Sequence, residues 1–174
     1  MGNIKNDYLK IGNELADVKL EVFVNASCPA CAKLYQTAKD IIEEYIQKDQ
    51  LQLIVKLWDK PRKTLLHGTR IHLSVDYSSP EETLRIIGSL LETQSEWKPL
   101  PDQELENLLT DKYQLEERPE NTDISLAITQ EAFEREVKYL PTLFINNELQ
   151  MLSPDYDQET IKSLFENALE SKIN

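Results

Sequence analysis

The sequence predicts an α/β fold in one domain, ordered strand, helix, strand, a helical block, then strand, strand, helix. Three observations carry this reading. A β-branched and aromatic run, Val18 to Val24, is followed at once by a stripe of apolar residues at helical spacing. A second apolar run, Leu51 to Trp58, closes a βαβ unit, whose crossover is right-handed. Far downstream, Pro141 to Leu152 returns to strand chemistry ahead of an amphipathic C-terminal segment.

Each element has its own signal. "VKLEVFV" has strand composition. From Pro29, a residue suited to a first helical turn, the positions Cys31, Leu34, Tyr35, Ala38, Ile41, Ile42 and Tyr45 form one apolar stripe. "LQLIVKLW" is apolar on both parities, so this strand is covered on both faces. Two start signals follow in "SSPEETLRIIGSLLET" and "PDQELENLLTDKY", each leading into helical periodicity, and "HGTRIHLSVDY" is read as helical. "ERPEN" reads as a linker, and a helix from about Thr122 to Lys138 puts Ile124, Ala127, Ile128 and Val137 on one side. Asn146 and Asn147 suit the tip of a tight hairpin in "PTLFINNELQML". The closing helix presents Ile161, Leu164, Phe165 and Ala168. The division expected is one domain over 1–174, with core segments 17–58 and 122–174 and a helical insertion at 59–121.

The chain has 174 residues, 40% of them apolar and 29% charged, which is globular composition and one domain's length. A formal charge of -12 argues against nucleic acid, which needs a basic surface, and disfavours acidic partners as well. No apolar run approaches the length of a membrane span. The opening residues are too polar for a signal peptide, which places the chain in the cytoplasm; export with a leader already removed is the alternative.

The only two cysteines stand in "SCPAC", between the first strand and its helix. Three readings compete: a redox pair, part of a metal site, or two small packing residues. Zinc needs four ligands, and the two histidines, His67 and His72, lie five apart and do not share a helical face, so no metal is expected. Buried cysteine is common in cores, which keeps the packing alternative open. The redox reading has a mechanism. Cys28 at the N-cap would face unpaired backbone N–H groups and the positive end of the helix dipole, which favour a thiolate and make it the nucleophile. Cys31, one turn deeper, would resolve the mixed disulfide.

The strand, "CPAC" and helix, together with "YLPTLFIN" downstream, resemble the thioredoxin superfamily. The helical block at 59–121 resembles its DsbA-like branch, so the resemblance implies a thioredoxin-like fold with an all-helical insertion. It implies a thiol-disulfide oxidoreductase acting on protein or low-molecular-weight thiols and disulfides, with no cofactor and a redox partner left unknown. It also implies a cis Leu140–Pro141 bond facing the cysteines and a substrate site of Pro29, Ala30, Leu140, Pro141 and Thr142. Two departures stand out. Ala30 replaces the histidine that strongly oxidising members carry between their cysteines. Val22 occupies the position of a buried acid, and the nearby Glu21 would point to the opposite sheet face, where a solvent-exposed or salt-bridged role suits it better. With Lys33 as the only cation close in sequence, a moderate thiolate shift is expected. A glutathione-dependent isomerase or transferase of the same fold and a non-catalytic adaptor are the alternatives. Trp58, Trp97 and Tyr35 are read as packing residues.

Overall fold

The computed structural model describes residues 8–173. Five strands form one sheet: β1 (Leu9–Gly12), β2 (Val18–Val24), β3 (Leu51–Leu57), β4 (Thr142–Ile145) and β5 (Glu148–Gln150), in the order β1-β3-β2-β4-β5. β2 and β3 are parallel, joined by α1 (Pro29–Gln47), while β1, β4 and β5 pair antiparallel with their neighbours. This is the expected thioredoxin-like sheet, and between β3 and β4 lie α2 (Leu66–His72), α3 (Pro80–Glu92), α4 (Gln94–Trp97), α5 (Asp102–Tyr113) and α6 (Asn121–Glu134). The closing helix is α7 (Gln158–Ile173).

Alternation along β2 sorts the core into two layers. Val18, Leu20, Val22 and Val24 face α1 and α7 with Cys31, Leu34, Ala38 and Phe165, whereas Phe23 faces α6 with Ile124, Ile128 and Phe144. Each fully buried Leu, Ile or Phe in these layers contributes about 1.5–3 kcal/mol relative to exposure. β3 is covered on both sides, as its composition predicts. In the insertion, Leu90, Trp97, Leu105 and Leu109 build a continuation of the first layer, and the Trp97 indole donates to the Leu90 carbonyl at 2.8 Å. Trp58 is buried beside α6, and Tyr35 packs where a side chain at Gly88 would collide with it.

The fold differs from the sequence reading at three places. β1, ahead of residue 17, is an edge strand of four residues in which Leu9 alone is fully buried, too short an alternation to read. The helix read as running to Lys138 stops at Glu134. Glu136 takes φ +57°, and the Val137 and Glu136 amides bond back to the carbonyls of Ala132 and Phe133, a Schellman stop without glycine. The "ERPEN" segment is pinned rather than loose: the Arg118 amide donates to the Leu73 carbonyl at 2.8 Å, and the buried Asn121 carboxamide donates to the carbonyls of His72 (3.1 Å) and Val75 (2.8 Å).

Candidate active site

The chain leaves β2 at Val24, crosses four residues and enters α1, so Cys28 falls at the N-cap, with φ -78° and ψ 121°. No side chain caps this end, and Pro29 occupies the first turn. The free N–H groups of Ala30 and Cys31 are therefore left to the Cys28 sulfur. Cys31 lies one turn along α1. Both thiols are free, and they are 7% and 1% exposed, so the mouth is narrower than an open N-cap suggests.

Local electrostatics separate the two sulfurs. A hydrogen bond from the Cys31 thiol is the largest influence on Cys28. With the backbone N–H groups of Cys31 and Ala30 and the charge of Lys98, it outweighs burial and brings the Cys28 pKa from 9.0 down to about 6. Burial pushes Cys31 well above its ordinary value, and the Cys28 sulfur beside it adds to the rise. At pH 7 about nine-tenths of Cys28 is then thiolate, against about one-hundredth at the ordinary value.

The helical insertion grips the cysteine loop directly. The Gln94 carboxamide donates to the carbonyls of Ala26 (2.7 Å) and Cys28 (2.9 Å). His72 accepts the Ala26 amide on Nε2 at 3.2 Å, so the ring proton sits on Nδ1, 2.6 Å from the Asp59 carboxylate. Burial would raise the Asp59 carboxyl, but the facing His72 and the Ser125 hydroxyl hold it below its ordinary value. Asn25 accepts the Ser27 amide at 2.9 Å and donates to the Trp58 carbonyl at 3.1 Å. Gly68 lies against that carboxamide, where an added Cβ would stand 1.9 Å from the Asn25 oxygen.

Opposite the cysteines, the Leu140–Pro141 peptide is cis, and the Leu140 carbonyl lies 3.8 Å from the Cys28 sulfur. The Thr142 hydroxyl donates to the Tyr139 carbonyl at 2.6 Å, so its side chain braces this turn. Pro29 and Ala30 are exposed at the rim, and Pro141 and Thr142 line a groove of about 660 Å³ shared with Ala30, Lys33, Tyr139 and Met151. Of the residues singled out in the sequence, Cys28 stands against Cys31 and Leu140; Ala30, Pro141 and Thr142 line the groove; and Pro29 is exposed beside Cys28.

Other expectations sort by strand parity and by fold. Val22 is on the Cys31 side of the sheet. Glu21 is on the other, where burial would raise its carboxyl but Arg135 and Lys56 hold it below its ordinary value. It is salt-bridged and does not serve Cys31. Lys33 is turned to the Pro154 carbonyl (2.7 Å) and the Tyr156 ring (4.4 Å), and the cation acting on Cys28 is Lys98. The sequence does not mark Gln94, His72, Asp59 and Lys98, because their contacts with the cysteine loop, made directly or, for Asp59, through His72, depend on how the insertion folds back. Among the described residues no cluster of three or more His, Cys, Asp or Glu side chains could hold a metal ion, and no helix is long and apolar enough to cross a membrane.

The family model described as Thioredoxin matches residues 5–166. Among solved structures, a conserved protein of unknown function from Enterococcus faecalis V583 is 26% identical, with a TM-score of 0.80 over 93% of this chain and 89% of that one. The catalytic domain of ScsC from Proteus mirabilis is 15% identical, with a TM-score of 0.73 over 95% and 90%. The α-DsbA1 of Wolbachia pipientis is 13% identical, with a TM-score of 0.73 over 96% and 93%. The last two share the fold. No curated protein matches the chain.

Proposed function

The chain belongs to the thioredoxin family, and from that premise we propose that it is a thiol-disulfide oxidoreductase in which Cys28 attacks and Cys31 resolves. The observation that carries the reading is Cys28 at the uncapped N-terminus of α1, with Cys31 one turn along and the Leu140 carbonyl 3.8 Å from the Cys28 sulfur, an arrangement that lowers the Cys28 pKa and raises that of Cys31. A nucleophile must be a thiolate at working pH, and a resolving thiol must stay protonated until its turn.

The Cys28 thiolate forms a bond to one sulfur of a substrate disulfide. The substrate S–S bond breaks, and the leaving sulfur takes the electron pair. Cys28 is then neutral, so the hydrogen bond and negative charge that held the Cys31 proton are gone, and only burial still opposes its ionisation. Cys31 loses its proton to the departing thiolate or to water, attacks the Cys28 sulfur and expels the second substrate thiolate. Two electrons pass to the substrate and a Cys28–Cys31 disulfide remains. The reverse sequence oxidises a dithiol.

The rim of Pro29 and Ala30 and the turn at Leu140, Pro141 and Thr142 are the surfaces a substrate chain would lie between, with the Leu140 main chain next to the reacting sulfur. A thiolate pKa of about 6 lies between the values of about 7 for thioredoxin and about 3.5 for DsbA, nearer the former. Stabilising the reduced form raises the potential, so a value between those of the two proteins, about -270 and about -120 mV, is expected.

Equilibration in glutathione buffers followed by thiol counting tests this. A single two-electron transition in that range supports it; a thiol that titrates near 8.5 and no reversible disulfide would leave only an adaptor role. Cys31→Ser should accumulate mixed disulfides through Cys28, and the trapped species identifies the client.

A further inference from the structure

The mouth carries cations although the molecule is strongly acidic. The chain carries a formal -12, and its sequence argues against acidic partners. Yet Lys60, Arg62 and Lys63 follow β3, Lys98 follows α4, Lys138 precedes the cis-proline turn, and Lys33 stands beside Ala30 on α1. The Lys60 ammonium donates to the Lys138 carbonyl at 2.6 Å, tying the loop after β3 to the proline turn. Lys33 and Lys138 line the groove with Ala30 and Pro141. Lys98 lies near enough to lower the Cys28 thiol's pKa, and the Cys28 thiolate in turn raises that of Lys60, which burial lowers first.

Lys33 and Lys60 donate to main-chain carbonyls and keep their charge unneutralised. None of the six forms an ion pair with the described residues. Among the described residues no carboxylate acts on Lys60; its charged neighbours are Arg62 and Cys28. Asp59, next in sequence, is half-buried and occupied by His72 and Ser125. In the groove itself Glu136 is the carboxylate, and Arg135 is spent on Glu21 and Glu131. Lys60 and Lys98 act on the Cys28 sulfur and Lys33 and Lys138 line the adjoining groove, so cations without carboxylate partners concentrate anions where the chemistry occurs.

We propose that the protein selects anionic disulfides, whose negative groups flank the reacting sulfur and dock on the lysines of the mouth. This rests on the oxidoreductase reading and names its substrate class. Such charge comes from a small dicarboxylate disulfide or from an acidic polypeptide segment around a cystine. The exchange is the one given above: the Cys28–sulfur bond forms, the substrate S–S bond breaks, and the leaving thiolate carries away the electron pair and its flanking charge.

The test compares matched aliphatic disulfides, dithiodiglycolate (two carboxylates), hydroxyethyl disulfide (neutral) and cystamine (two ammonium groups), as oxidants of the reduced protein. Each second-order rate constant is divided by that of the same disulfide with mercaptoethanol, which removes intrinsic reactivity. At low salt the dicarboxylate should lead the diammonium by about tenfold or more, and the lead should shrink towards unity at 1 M salt, where the screening length is about 3 Å. The Lys60→Gln and Lys138→Gln double variant should lose most of the lead. The ratio of two reagents within one variant is unaffected by any change in its thiolate fraction. Peptide disulfides flanked by glutamates or by lysines distinguish the two sources. A large lead among the peptides with little among the small reagents assigns the polypeptide, and equal leads assign the small molecule's chemistry as sufficient. Rapid but charge-blind exchange overturns this inference and leaves the oxidoreductase reading standing. Slow exchange with every disulfide overturns both.

Discussion

Replacing Cys31 with alanine removes the strongest influence on the Cys28 thiolate and leaves the others in place. In the intact site the Cys31 thiol, the amides of Ala30 and Cys31 and the charge of Lys98 all favour the anion against burial. A hydrogen bond to a charged group is worth about 1.5–3 kcal/mol, and a thiol is a weak donor, so its removal should cost about 1.5 kcal/mol, close to one pKa unit. The Cys28 pKa should therefore rise from about 6 to about 7. Cys31→Ser keeps a donor and should stay within about half a unit of the parent. The assay is the rate of iodoacetamide alkylation, or thiolate absorbance, across pH. The parent's rate should rise about tenfold per pH unit below 6 and level off above 7. The same shift has a stability sign. A depressed pKa stabilises the reduced fold above the ordinary value of 9.0, and that contribution is lost as pH falls through about 6. An alanine variant still titrating at 6 would refute the assignment to Cys31, and one rising fully to the free-thiol value would refute any role for the amides and Lys98.

Two further perturbations examine the frame around the site. At His72, glutamine matches the reach of Nε2 and asparagine that of Nδ1. His72→Gln should preserve the Ala26 contact and Cys28 reactivity while destabilising the fold by leaving Asp59 with the Ser125 hydroxyl but without the imidazole. His72→Asn should keep the Asp59 bond and lose the Ala26 one, at about 1–3 kcal/mol, with the Cys28 pKa moving. Urea unfolding and alkylation rates read both, and identical behaviour of the two variants counts against the cradle. At the sheet's other face, Lys56 bridges Glu21 and Glu131 with its side chain 3% exposed. Lys56→Met should cost about 3 kcal/mol in denaturant titration, less than a fully orphaned pair because Arg135 remains, and adding Glu21→Met should recover most of it. Because the Glu21 carboxyl is held below its ordinary 4.5, this network's contribution should fade as pH falls below that value. A neutral single variant would show the pairing to be worth nothing.

What was legible in the sequence was whatever a local pattern fixes. Seven residues of strand composition, then cysteine, proline and an apolar stripe at helical spacing, are enough to put Cys28 on a helix N-terminus. Alternation along β2 is enough to send Glu21 away from Cys31, and Asn146 and Asn147, both with positive φ, are enough to close the hairpin. β1 escaped because four residues with one buried side chain carry no period, and the end of α6 escaped because a glutamate holds the left-handed position usually left to glycine.

The rest was settled only by folding. Gln94, His72 and Lys98 lie 66, 44 and 70 residues beyond Cys28 in the chain, by subtraction of their numbers, and nothing in their own neighbourhoods marks them. Hydrogen bonds and Coulomb forces act over a few ångströms of space whatever the separation in sequence, so partners supplied by a returning insertion are invisible until it has returned. The same holds for charge. The sequence determines the sum of -12, but where those charges sit is a property of the surface, and the fold brings Lys60 and Lys98 to act on the Cys28 sulfur from distant parts of the chain.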